Sequence, residues 1–217
     1  MTYNPTTLAV SLIKRGIPVF PCRAADEIDQ ETGEIYCAKS PLTSNGLSGA
    51  TKIERLAREM FKRNDNALVG TPTGRAMGAF VVDIDVKALD DGGTIDGFIA
   101  LAALEKEFGK LPVTRTARTP RGGKHYYFNM IDGLRNTAGR IGAGIDTRGD
   151  GGFVIAPGSV MADGRAYVWE DESVPIADAP QWLIDLVKPP KYEPVPYTHS
   201  PSGNVPYVER AVELELN

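Results

Sequence analysis

Apolar residues along this chain follow a helical spacing in the first half and short strand-like runs in the second. Leu8 and Leu12 mark a short helix that Gly16 ends, and Ile17-Pro18-Val19-Phe20-Pro21 reads as an extended strand whose prolines suit a sheet edge. Arg23 to Ser48 is polar and rich in Asp, Glu, Gly and Ser, which predicts a long loop or a hairpin insertion. Ile53, Leu56, Ala57, Met60 and Phe61 fall at i, i+3, i+4, i+7 and i+8, the spacing that lines one face of a helix. Residues 67–70 and the Gly-bounded apolar run 78–86 read as buried strands. After a Gly-Gly-Thr segment, Phe98, Leu101, Ala102, Glu105 and Phe108 mark another helix closed by Gly109. Strand-like pieces follow at 113–119, 124–130, 152–157 and 166–169, then a short helix at 180–187. No internal repeat is visible, and the mixture predicts an α/β or α+β class.

From Pro189 the pattern fails. Pro189, Pro190, Pro194, Pro196, Pro201 and Pro206 lie in the last 29 residues with few bulky aliphatics. The expected organisation is therefore a folded domain over 1–188 and a Pro-rich linker or tail over 189–217, leading toward a further domain in the natural protein.

With 217 residues, 42% of them hydrophobic, the chain can bury one substantial core or two small lobes that share an interface. A net charge of -4 argues against a general DNA coat, so any nucleic-acid contact has to come from a local patch. Cys22 and Cys37 are the only cysteines and make no disulfide framework or zinc motif, so two free thiols are expected. No run approaches the ~18 to 20 apolar residues of a membrane span and no secretory leader is visible, which predicts a cytoplasmic protein away from membranes.

Three segments carry chemistry. Asp83 and Asp85, at i and i+2 on a strand, put two carboxylates on one face, and such a pair calls for a positive charge between them. Hard oxygen ligands suit Mg²⁺ or Mn²⁺. Arg121-Gly122-Gly123-Lys124-His125 offers a tight turn whose backbone and side chains can meet an anion. In Ile145-Asp146-Thr147-Arg148-Gly149-Asp150, Asp146 is a candidate third carboxylate and Arg148 a candidate phosphate clamp, while Asp150 reads as a turn former. Between residues 111 and 150, seven Arg or Lys stand against three Asp, so a cationic stretch coincides with these turns.

Val82-Asp83-Ile84-Asp85, Gly122-Gly123-Lys124-His125 and Ile145-Asp146, in this order, resemble the three motifs of the archaeo-eukaryotic primase superfamily, in particular the bifunctional primase-polymerase domain of plasmid, phage and prophage replication proteins. Gly16 to Pro21, Lys39-Ser40-Pro41, Gly70 to Gly74, and Phe153 to Pro157 resemble its other landmarks, and the resemblance spans residues 3 to 188. The stretch from Arg23 to Ala38 is longer than the family's usual link. The resemblance implies an α/β N-terminal part packed on an RRM-like sheet, with the active site between. It implies two Mg²⁺ or Mn²⁺ ions held by Asp83, Asp85 and Asp146, and nucleotide contacts from His125, Lys124, Gly123, Arg121, Arg148, Gly149 and Lys39. The implied reaction joins (d)NTPs to a 3′-hydroxyl on a DNA template and primer with release of pyrophosphate, and a helicase is a common neighbour. Two readings from other classes stay open: a non-catalytic nucleotide or nucleic-acid binding domain of the same fold, and a metal-dependent nuclease built on the Asp-x-Asp pair. The second wants an upstream catalytic Glu at a strand end, and none is evident.

Overall fold

The structure, a computed structural model, describes residues 3–90 and 92–188. The Pro-rich segment assigned to 189–217 lies outside these residues. The first helix, α1 (Pro5–Lys14), is capped by Asn4, whose side chain accepts the Thr7 N–H at 2.8 Å, and Pro5 opens it. The chain then forms β1 (Phe20–Cys22), the small hairpin β2 (Glu27–Ile28) and β3 (Ile35–Tyr36), and α2 (Glu54–Lys62). Next come β4 (Leu68–Pro72), β5 (Ala79–Ile84), a second hairpin of β6 (Val86–Ala88) and β7 (Thr94–Asp96), and α3 (Gly97–Phe108), capped by Asp96 on the Phe98 N–H. The remainder is β8 (Thr116–Arg118), β9 (Lys124–Asn129), β10 (Thr137–Gly142), β11 (Ile145–Arg148), β12 (Phe153–Ile155), β13 (Val168–Trp169) and α4 (Gln181–Val187).

Two antiparallel sheets carry the fold: a three-stranded one in the order β1-β4-β12 and a six-stranded one in the order β10-β11-β5-β9-β8-β13. Alternation along β5 and β9 gives the large sheet two different faces. On one, Phe80, Val82, Ile84, Phe128 and Ile145 pack with Leu101 of α3 and Leu183 and Val187 of α4. On the other, Val81, Ala117 and Tyr127 meet Val154 of β12, so the two sheets touch there. The small sheet has its own cover: Ala9 and Leu12 of α1 and Ala57 and Phe61 of α2 pack with Val69. Beyond the Val154 contact the sheets part, and the face bearing Asp83 and His125 opens into a cleft between them. The mixed α/β class and the placement of a cleft between two sheets agree with the expectation.

Local differences have physical reasons. Pro21 does lie on an edge strand, but pairing begins at Phe20, and Val19 is held separately by a bridge to Thr51. The strand expected over 78–86 ends at Ile84. Val86 starts the β6–β7 hairpin instead of joining the core, because Asp85 spends its backbone groups on Gly144 O and Gly97 N. The glycine-rich stretch from 137 to 148 holds two strands, β10 and β11, hidden in the sequence because glycines at bulges and bends remove the alternation that would mark them. The 23–48 insertion does contain a hairpin.

Candidate active site

Strand register builds the site. Asp83 of β5 pairs with Asp146 of β11 on one side and with His125 of β9 on the other, and His125 pairs in turn with Ala117. Asp146, Asp83 and His125 therefore form one row across three neighbouring strands, on one face, although they lie far apart in sequence. His125 Nε2 is 3.3 Å from Asp83 Oδ1, and both residues are buried. Arg148, two residues along β11 from Asp146 and so on the same face, places Nη2 2.9 Å from Asp146 Oδ2 and 3.5 Å from Asp83 Oδ2. The shift in register between Thr137 and Gly142 turns the Gly139 N–H onto Asp146 Oδ1 at 2.8 Å. Glycine suits this bulge because its φ is +60°.

Charge follows from that geometry. Burial alone pushes the Asp83 carboxyl up, but His125, Arg148 and Lys39 outweigh it and hold the group below its ordinary value. Asp85 is raised, first by burial and then by the negative charges of Asp83 and Asp146. The Lys39 ammonium is lowered by burial, with Arg121 and Arg148 acting in the same direction against Asp83 and Asp85. These groups thus share one electrostatic neighbourhood.

The cleft, about 380 Å³, is lined by Lys39, Asp83, Asp85, Arg121, His125 and Arg148, with Thr119, Asn136, Phe153 and Tyr167 around them. Lys39 is the one non-glycine residue with positive φ (71°) among the described residues, and its Nζ lies 5.8 Å from the centre of the Tyr167 ring. The Tyr167 ring is 5.7 Å from that of His125, and the buried His125 Nδ1 has no hydrogen-bond partner.

Three expected residues are placed elsewhere or otherwise engaged. Lys124 pairs across the strands with Ile84, on the face opposite His125, and its Nζ bonds Glu170 at 2.9 Å, so it does not line the cleft. Gly123 lies against the Ile84 carbonyl, where an added Cβ would fall 2.1 Å from the oxygen, and its own carbonyl accepts the Thr119 N–H. Gly149 donates its N–H to Asn136 Oδ1 at 3.0 Å and accepts from Thr73 Oγ1, so its backbone is committed to packing. Asp150 bonds Arg75 and the turn around it, as a turn former should. Tyr167, Asn136 and Thr119 line the cleft although no sequence signal marks them. None belongs to a charged motif, and only the topology brings them here.

As the side chains stand, no three His, Cys, Asp or Glu residues among the described residues converge on a point able to hold a metal ion. The donor chemistry nevertheless fits a divalent cation: Asp83 and Asp146 face each other across a strand pair, Asp85 follows at the strand end, and a guanidinium already lies between the first two.

Fold and cleft together define a mixed α/β protein whose carboxylates and cations meet between two sheets. A family model described as bifunctional DNA primase/polymerase, N-terminal, matches residues 9–182, and the chain belongs to that family. Membership suggests DNA primase/polymerase activity, hence nucleotidyl transfer with binding of DNA and nucleotides, and enzymes of this family generally depend on divalent metals. No curated protein matches the chain. Among the described residues no helix is long and apolar enough to cross a membrane.

Proposed function

We propose that this domain is a template-dependent DNA primase-polymerase, in which a 3′-hydroxyl attacks the α-phosphorus of a (d)NTP and the α–β bond breaks to release pyrophosphate. One observation carries the reading: Asp83 and His125 line a cleft that also holds Lys39, Arg121 and Arg148, and Asp146 stands beside Asp83 on the neighbouring strand with its carboxylate on Arg148. Anionic and cationic groups in one concave site suit a substrate that is a triphosphate escorted by cations. Asp83, Asp85 and Asp146 would hold two Mg²⁺ or Mn²⁺ ions. Such ions, when bound, neutralise phosphate charge and favour ionisation of the attacking hydroxyl.

The chain's own residues bind and orient. Lys39 and Arg121 meet the phosphates from the cleft walls, and Arg148 is a third cation within reach. His125 holds Asp83 through Nε2, and its buried, unpartnered Nδ1 donates to a phosphate oxygen when the ring carries both protons. Gly123 and Gly149 support the site through packing, and Lys124 pairs with Glu170 on the other face of the sheet. Replication of a plasmid or phage element, with a helicase domain as neighbour, is part of the reading and rests on resemblance alone.

Incubation with Mn²⁺ or Mg²⁺, labelled dNTPs and a bare or primed template tests the proposal. Longer product supports it. Shortened DNA would point to a nuclease, and binding without change to a non-catalytic domain.

A further inference from the structure

Arg148 occupies the place that the metal reading assigns to a cation, and the following inference rests on that reading. Both oxygens of each carboxylate in the Asp83–Asp146 pair face a protein donor. Asp146 Oδ1 accepts the Gly139 N–H at 2.8 Å, Asp83 Oδ1 lies 3.3 Å from His125 Nε2, and the remaining two oxygens face Arg148 Nη2 at 2.9 and 3.5 Å. These donors differ in freedom. Gly139 offers backbone, and the His125 side chain is 6% exposed and packed against Tyr127 and Tyr167. The Arg148 side chain is 32% exposed and lines the cleft, so its torsions can carry the guanidinium away while β11 stays in place.

A divalent ion cannot share those oxygens comfortably with the guanidinium. Arginine keeps its charge at any physiological pH, so it leaves by moving rather than by losing a proton. Its planar fork then matches a phosphate group, which the proposed substrate brings into the same cleft. We infer that Arg148 is the resident counter-ion of the Asp83–Asp146 pair, exchanged for the divalent cation and passed to the triphosphate as nucleotide enters, so that metal and nucleotide bind cooperatively through this one side chain. Metal alone has to displace Arg148 with no anion to receive it. With nucleotide present, both events favour each other, and by linkage each ligand tightens the other by the same factor.

Mn²⁺ titration of the full chain, read from the paramagnetic resonance signal of free ion, tests the exchange with and without a dNTP analogue that cannot be cleaved between its α- and β-phosphates. For Arg148→Gln, Mn²⁺ alone should bind roughly tenfold tighter than to the unmodified protein, within the usual range of coupling between sites. The tightening caused by the analogue should be smaller than in the unmodified protein by a similar factor, because only the part that runs through Arg148 is lost. Equal Mn²⁺ affinity in the two proteins without analogue, or equal tightening by it, overturns the inference. Arg148→Lys keeps a charge and loses the fork, and serves if the Gln variant does not fold: tighter Mn²⁺ binding by a smaller factor supports the exchange, and no change refutes it. Asp146→Asn separates the two layers of argument. If it leaves Mn²⁺ binding intact, the metal reading itself fails. If it abolishes binding while the Arg148 variants behave as unmodified protein, only the exchange fails.

Discussion

Asp83 and Asp146 are direct cross-strand partners in the β5–β11 pair, two carboxylates face to face near the middle of an antiparallel sheet. Like charges so placed oppose each other, and Asp85 at the strand end adds a third. Such an arrangement is costly to the fold and useful only when cations are supplied.

Asp85→Asn should therefore separate activity from stability, because Asp85 is the carboxyl whose ionisation the fold disfavours through burial and the charges of Asp83 and Asp146. Nucleotide addition is expected to fall by at least about a hundredfold, the scale of losing one charge-stabilising group. The thermal midpoint should not drop, because the substitution relieves repulsion within the site. Primer extension and thermal denaturation on the same preparation check both halves; retained addition contradicts the metal-ligand role.

His125→Ala is expected to act mainly on the incoming nucleotide. KM for dNTP should rise about tenfold, the scale of one charge-assisted hydrogen bond, with a smaller change in kcat. Steady-state extension across a range of dNTP concentrations decides this, and an unchanged KM would remove His125 from nucleotide contact.

The two lysines of the family landmarks should behave differently. Lys39 lines the cleft, whereas Lys124 bonds Glu170 on the other side of the sheet. Lys39→Ala is expected to raise the dNTP KM several-fold. Lys124→Ala should leave KM near its starting value and cost under about 1 kcal/mol of stability, as a partly exposed ion pair does. Equal kinetic effects from both substitutions would contradict this placement.

Much of this architecture is legible in the amino-acid sequence itself. The period of Ile53 to Phe61 locates α2, and the Gly-bounded apolar run locates β5, because both are pure signals of one-sided or complete burial. The row of Asp83, His125 and Asp146 is legible as chemistry, through residue types and motif order. Side-chain direction on β9 is also readable, since alternation already separates Lys124 from His125. What stays hidden depends on contacts distant in sequence. Neither β10 nor β11 shows a clean period, and Tyr167 and Asn136 carry no charge pattern, so their arrival at the cleft is a product of topology. The conflict of Asp85's backbone with a continuing strand is likewise invisible without Gly97 and Gly144 in place.

The adjacent glycines of the turn give a stability prediction. At Gly122 a Cβ meets nothing within 4 Å, but φ is +87°, so Gly122→Ala should cost about 1 kcal/mol of backbone strain. At Gly123 the Cβ would collide with the Ile84 carbonyl at 2.1 Å, forcing β9 away from β5 at its active-site end. Gly123→Ala should cost more, about 2 kcal/mol or above, as overpacking does. Denaturant unfolding of the two variants gives the order, and the reverse order would refute the close approach.

The thiols should also divide. Cys22 is buried and its thiol is pushed up to about 12 by that burial, so below that pH it stays protonated and a poor nucleophile. Cys37 is exposed. A disulfide reagent near neutral pH is expected to modify one thiol quickly in the folded protein and both after denaturation. Rapid reaction of both in the folded state would contradict the burial of Cys22.

Along β5, acidic chemistry and apolar packing occupy alternate positions of a single short strand, with Asp83 set between Val82 and Ile84. Sliding that strand by one place against its neighbours would drive the carboxylate into the oily side beneath α3 and turn two aliphatic groups toward the cleft. The hydrophobic interior therefore proofreads the alignment of the reactive groups: a molecule that has buried its aliphatic side chains correctly has, by the same act, assembled its acids.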